Sequence, residues 1–129
     1  MFGRMPAGQP SPADVGSEPG GFRVLATATG TLRITVWGYW TPEVARAFAT
    51  EAQAAAQKLM PTSTLVVEAA ALKPQGPDAQ EAWRGFFRGL VGLVFARAVV
   101  VGANALTRMQ LTRLVRESGV DGRVEFGDS

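Results

Sequence analysis

The chain has 129 residues, of which 47% are hydrophobic and 19% are charged, and this combination is typical of one globular domain. The formal net charge of only +2 gives no reason to expect a nucleic acid or an anionic membrane as a partner. Cysteine and histidine are both absent, which excludes disulfides, thiolate catalysis and zinc sites of the Cys or His kind, so we predict a non-enzymatic protein without a metal or cofactor.

The first 21 residues differ in composition from the rest of the chain. They contain four Pro and five Gly and show no apolar periodicity, which predicts a disordered arm over 1–21 and a folded domain over 22–129. No stretch resembles a signal peptide. The most hydrophobic window, Phe86–Val101, is interrupted by Arg88 and Arg97 and is shorter than the ~20 residues of a membrane helix. We therefore expect a cytoplasmic protein without a membrane span.

The first elements of the domain are a hairpin and a helix. Two β-prone runs, Phe22–Ala28 and Leu32–Trp37, flank a Thr29-Gly30 turn. Thr41-Pro42-Glu43 then combines a hydroxyl N-cap, a proline at the first helical position and an early carboxylate, which predicts the start of a helix ended by Pro61. Its apolar stripe consists of Val44, Phe48, Ala52, Ala55 and Leu59.

A buried strand and a second helix are predicted next. Thr64–Leu72 is a continuous apolar run with one carboxylate, Glu68, and predicts a strand buried on both faces. After a loop over 73–77, Asp78 and Glu81 have the spacing of a capping box. The apolar stripe of this second helix consists of Trp83, Phe86, Phe87, Leu90, Val91 and Val94.

The last part of the chain predicts strand, helix and strand. Ala98–Val101 reads as a buried strand, Thr107–Ser118 as a helix that Gly119 stops, and Arg123–Phe126 as an edge strand. Thr107 and Gln110 provide a capping box for the third helix. The order ββαβαβαβ predicts an α/β domain with a mixed, mostly parallel sheet and its helices mainly on one face.

The segment that begins at Ala96 carries a family resemblance. It reads ARAVVVGANALTRMQLTRLVRESG and leads into VEF. This pattern resembles the SpoIIAA-like family of small bacterial proteins, whose fold is shared with STAS domains. The matching residues are Arg97, Ala98, Val99, Val101, Gly102 and Phe126; upstream, Gly38 with Thr41-Pro42-Glu43, and Ala82-Trp83, are also similar.

The resemblance implies a SpoIIAA/STAS-like domain that acts as a non-enzymatic regulatory or protein-binding module. It also implies a phosphorylatable serine at the start of the second helix in members that antagonise anti-sigma factors. This chain has Pro77, Asp78 and Ala79 there, and no Ser or Thr lies between Thr64 and Thr107. A phosphorylation switch at that site is therefore excluded.

Six arginines and no carboxylate lie between Glu81 and Glu117. Arg84 and Arg88 are one helical turn apart, as are Arg113 and Arg116, so each pair shares a helix face. If the two helices are neighbours, the pairs form one positive surface suited to an acidic protein partner or a phosphorylated ligand. The alternative is ordinary solvated helix faces balanced by Glu117, Asp121 and Glu125.

Aromatic residues give two further hypotheses. Trp37, Tyr39 and Trp40 cluster at the end of the second strand and are candidates for a partner contact, including a homodimer seam. With Trp83 and Phe87, Trp40 is also a candidate for lining a groove that binds a small apolar or lipid-like ligand. The packing alternatives are that Trp37, Tyr39 and Trp40 form the rim of the core and that Trp83 and Phe87 belong to the core.

Glu68 is the leading candidate for a catalytic side chain. Mid-strand among Val and Ala, it would suit general acid or base chemistry if it were buried. A single carboxylate on a strand is more often exposed at an edge or paired with an arginine. We therefore expect Glu68 to have no catalytic role.

Overall fold

A computed structural model describes residues 20–128, and it consists of one five-stranded mixed sheet and three helices. The predicted arm therefore lies outside the described residues, except for Gly20 and Gly21. In chain order the elements are β1 (Gly21–Ala26), β2 (Thr31–Gly38), α1 (Pro42–Ala56), β3 (Thr64–Leu72), α2 (Pro77–Arg88), β4 (Arg97–Val101), α3 (Ala105–Glu117) and β5 (Val124–Gly127). The predicted order of strands and helices and the α/β class are confirmed.

The strands lie in the sheet in the same order as in the chain. β1 and β2 form the antiparallel hairpin, with the turn at Gly30 in the left-handed region (φ +94°), and the pairs from β2 to β5 are parallel. Because right-handed crossovers that always advance in one direction keep their helices on one side, α1, α2 and α3 share one face of the sheet. α2 packs between α1 and α3 on that face.

α1 begins as predicted, whereas α2 and α3 begin at residues that lie before the predicted capping boxes. Thr41 caps α1 as expected, through a bond from the Val44 N–H to its side chain. In α2 the N-cap is Gly76, which offers no side chain, and Asp78 lies inside the first turn. In α3 the Asn104 side chain accepts from the Thr107 N–H. The predicted boxes at Asp78 and Thr107 are therefore wrong, because proline at position 77 and Asn104 start the helices sooner.

The helix ends also differ from prediction. α1 stops at Ala56, before Pro61. α2 stops at Arg88, so Leu90 is still buried but Val91 and Val94 are exposed. The turn after α2 is held by Arg123, whose guanidinium donates to the carbonyls of Leu90 (2.7 Å) and Leu93 (2.6 Å) and stacks on the Phe95 ring. A residue about thirty positions away thus redirects the chain out of the helical stripe.

The hydrophobic core lies between the helices and one face of the sheet. Its centre is aromatic: the Phe48 ring lies 4.8 Å from Trp40 and 4.5 Å from Trp83, and the two indoles stack at 5.5 Å. β3 alternates between buried and partly exposed residues from 64 to 69. The prediction that β3 is buried on both faces is wrong, because all three helices cover the same side of the sheet.

Candidate protein-binding surface

Three glutamines meet near the carboxyl ends of β2 and β3, and we call them the glutamine cluster. They are Gln75 in the loop after β3, Gln80 on α2 and Gln110 on α3. The Gln75 amide donates to the carbonyls of Gly38 (2.8 Å) and Lys73 (2.6 Å) and accepts from the Trp40 N–H (2.9 Å). Its backbone N–H donates to Gln110, while its carbonyl accepts from both Gln80 and Gln110. Every polar group of this buried residue is therefore paired.

The glutamine cluster lies beyond the carboxyl ends of β2 and β3, at the edge where open α/β sheets usually bind ligands. Gln75 is only 5% exposed, and next to it the buried Thr107 hydroxyl donates to the Leu72 carbonyl at 2.9 Å. Side chains from the loop after β3 and from α2 and α3 thus bond backbone groups at this edge. Sequence reasoning missed Gln75, because its partners Gly38, Trp40 and Gln110 are about 35 residues away.

Glu68 lies on the sheet face opposite the helices. It forms an ion pair with Arg33 on the neighbouring strand and accepts from the Thr35 hydroxyl at 3.2 Å. Its side chain is 39% exposed. Of the two alternatives for this strand carboxylate, exposure at an edge or pairing with an arginine, the structure shows the pairing.

The four arginines proposed for a partner contact define what we call the arginine surface: Arg84 and Arg88 on α2, and Arg113 and Arg116 on α3. Arg84 Nη2 lies 2.9 Å from Glu117 Oε1, and Arg113 Nη1 lies 3.0 Å from Glu117 Oε2. Arg113 also donates to Gln80 at 2.6 Å. The two helices are therefore neighbours, and arginines from both meet at one carboxylate.

The contacts between these side chains shift the pKa values of Glu117 and Arg84. Hydrogen bonds from Arg84 and then from Arg113 lower the pKa of the Glu117 carboxyl below its ordinary 4.5. The hydrogen bond to Glu117 raises the pKa of Arg84 above its already high ordinary value, and Glu81 adds to the effect. Glu117 therefore stays ionised to a more acidic pH than an isolated glutamate, and Arg84 stays charged.

The positive charges of Arg88 and Arg116 are not neutralised by a neighbouring carboxylate within residues 20–128. Within residues 20–128, neither Arg88 nor Arg116 has a carboxylate within 4.0 Å, and both are exposed. The alternative of balanced helix faces applies only to part of this region. Arg84 forms ion pairs with Glu81 and Glu117, and Arg113 forms one with Glu117. Positive charge thus remains in excess on the outer side of α2 and α3.

Sequence reasoning also missed two apolar side chains on the outside of α3. Leu106 is 67% exposed and Met109 is 68% exposed. The opposite side of the helix is buried and consists of Thr107, Leu111, Leu114 and Val115. The helical period was the available signal, since Met109 lies opposite the stripe through Leu111 and Leu114 and so faces outward.

The aromatic corner at the end of β2 is mostly buried. Trp37 and Trp40 are 6% and 3% exposed, and the Trp40 indole donates to the carbonyls of Gly21 (3.2 Å) and Trp37 (3.1 Å). Tyr39 alone is exposed, and its hydroxyl lies against Gly76 at the start of α2. Of the three aromatic partner candidates, the structure therefore leaves one accessible.

The residues suggested for a ligand groove lie inside the core. Trp40, Trp83 and Phe87 are all at most 3% exposed; Trp83 packs on both of the other two rings, and Trp40 and Trp83 pack on Phe48. This position matches the packing alternative given for Trp83 and Phe87. The binding of an apolar ligand remains a prediction.

Residues 20–128 contain neither a cluster of side chains that could hold a metal ion nor a helix that could cross a membrane. No three acidic side chains in that range are grouped so that they hold a metal ion. None of the three helices has the length and apolar character required to cross a membrane. Comparison with known proteins adds no assignment, since no protein-family model and no curated protein matches the chain.

Proposed function

We propose that this chain is a non-enzymatic protein-binding module of the regulatory type that the SpoIIAA/STAS-like resemblance implies, and that it binds an acidic protein through the arginine surface. The observation that carries the proposal is the convergence of Arg84 and Arg113 on Glu117, because it joins the arginines of two helices into one region. Four arginines share that region with two carboxylates, Glu81 and Glu117. Such an excess favours a partner of opposite charge.

The hydrogen bonds at the carboxyl edge of the sheet support the non-enzymatic part of the proposal. Gln75 uses all its polar groups on neighbouring backbone and on the other two glutamines. Glu68, the catalytic candidate of the sequence, is held by Arg33 and Thr35. The leading candidate for acid or base chemistry is thus engaged in an ion pair and a hydrogen bond.

The sign of the charge separates an acidic partner from a second copy of this chain. Two copies that met through their arginine surfaces would bring like charges together, and this repulsion disfavours association. The homodimer suggested by the aromatic corner would have to use Tyr39, since Trp37 and Trp40 are buried. We therefore assign the arginine surface to a different, acidic protein.

Co-purification with a matched control tests the proposal. The tagged full chain, the double variant Arg88→Glu/Arg116→Glu and the control Arg46→Glu are used as baits in lysate of the cells that produce the protein. Arg46 is exposed on α1, so its reversal changes the net charge at a site outside the arginine surface. We expect a protein that wild type and control recover equally and that the double variant loses by about tenfold or more. Equal recovery by all three baits would contradict the proposal.

A further inference from the structure

We infer that the outward face of α3 recognises an acidic peptide segment that carries an apolar anchor, and that Met109 is the contact for this anchor. The inference rests on the proposed function and specifies the chemistry of the partner. The face is defined by Ala105, Leu106, Arg108, Met109, Thr112, Arg113 and Arg116.

The geometry of α3 sets the middle of this face. Ala105, Met109 and Arg116 are four and seven residues apart, so they follow one line along the side of the helix opposite the core. Leu106 and Arg113 flank that line on the α2 side, since Arg113 reaches Gln80 and Glu117. Arg108 flanks the line on the β5 side, where it contacts Phe126.

A shallow depression of about 500 Å³ lies along this line, and Met109, Arg113 and Arg116 contribute to its walls. Ala105, Arg108 and Thr112 also line it. Met109 is a flexible, polarizable side chain, which adapts well to the shape of an apolar partner group. The depression can therefore hold one apolar side chain with basic groups beside it.

The residue types on this face match those of protein interfaces. Met and Arg are enriched in interfaces, whereas Lys and Glu are depleted. The exposed residues of α1 make the contrast, because they include Glu43, Arg46, Thr50 and Glu51 and no large apolar side chain. An ordinary solvated helix face in this same chain thus has a different composition from α3.

Charge complementarity selects an acidic segment as the occupant. Arg108 has a nearby carboxylate in Asp128 at 3.6 Å, but Asp128 is fully exposed and leaves room for a competitor. Arg116 has no carboxylate within 4.0 Å among the described residues, and Arg113 shares Glu117 with Arg84. Carboxylates on either side of an apolar anchor would give each of these arginines a partner.

Selection of random displayed peptides of about 12 residues, long enough to follow α3, tests the inference on the full chain. We expect enriched peptides that are acidic and contain a large apolar residue. In anisotropy titrations with the most enriched peptide, Arg116→Glu should weaken binding by about tenfold or more and Met109→Ser by about fivefold or more. Arg46→Glu should change binding by less than about twofold, since surface sites outside an interface contribute little. Raising the salt concentration should weaken the binding of the wild type.

Two results would overturn the inference. One is enrichment of basic or uncharged peptides, or of none. The other is acidic peptides that bind Met109→Ser as tightly as wild type. If those same peptides are lost on Arg88→Glu/Arg116→Glu, the proposed function stands and only the apolar anchor fails. Thermal unfolding of Met109→Ser should match wild type, because the side chain is exposed.

Discussion

The glutamine cluster and the arginine surface are both polar and both join α3 to other parts of the fold, but they use their polar groups differently. In the cluster, each polar group of Gln75 has a partner and the residue is buried. In the arginine surface, Arg84 and Arg113 share one carboxylate while Arg88 and Arg116 have none within 4.0 Å among residues 20–128.

This difference separates stability from recognition. A buried polar group with all its hydrogen bonds formed stabilises the fold. Its removal leaves buried donors and acceptors without a hydrogen-bond partner, which lowers the stability. An exposed arginine in excess contributes little to folding and is available to a partner. Substitutions in the two regions should therefore have opposite consequences.

The largest effect on stability is expected from Gln75→Ala. The substitution leaves the Trp40 N–H without its acceptor and removes one donor each from the Lys73 and Gly38 carbonyls, of which only Gly38 keeps another, the Lys73 N–H. We expect the free energy of unfolding, measured with urea, to fall by about 3 kcal/mol. The control Gln57→Ala, at an exposed position after α1, should change it by less than about 0.5 kcal/mol. Similar losses for the two variants would show that the cluster does not stabilise the fold.

A smaller, pH-dependent effect is expected from Glu117→Gln. Because Arg84 and Arg113 lower the pKa of Glu117 in the folded state, the ion pairs stabilise the fold above the ordinary pKa of 4.5. This contribution is lost as the pH falls through the lowered pKa. The variant should thus be less stable than wild type at pH 7, and the difference should shrink well below pH 4.5. A difference that stays constant across urea titrations at both pH values would contradict this account of Glu117.

The smallest response is expected from an apolar probe of the core. Trp40 and Trp83 are packed against Phe48 and are almost fully buried. Titration with a medium-chain fatty acid should leave the tryptophan emission of the folded protein unchanged. Saturable quenching at low protein concentration would instead support the apolar-ligand hypothesis.

The sequence predicts the order of the elements because most of their signals are local. Thr41 and the proline after it mark the start of α1, and the helical stripe through Trp83 and Phe86 marks the body of α2. Boundaries fail where a distant residue competes with the local pattern. Arg123 binds the carbonyls at the end of α2, so Val94 leaves the stripe and faces solvent.

The candidate site is predictable only in part, for the same reason. The spacing of Arg84 and Arg88 predicts that they share a face, but whether α2 and α3 meet depends on tertiary packing. Gln75 has no local signal in its loop between two prolines. Met109 does have a local signal, because the helical period of α3 places it on the outside of the helix. A single exposed methionine suggests no function unless the arginines around it are known.

The measurement that tests the central claim most directly combines stability and binding for Arg88→Glu/Arg116→Glu. We predict a free energy of unfolding no more than about 2 kcal/mol below wild type, because both side chains are exposed but each lies in the last turn of its helix, where a reversed charge is unfavourable. Co-purification of the acidic partner should nevertheless fall by about tenfold or more, while Arg46→Glu retains it. A stable double variant that still recovers every partner of the wild type would contradict the claim that the arginine surface is a recognition surface.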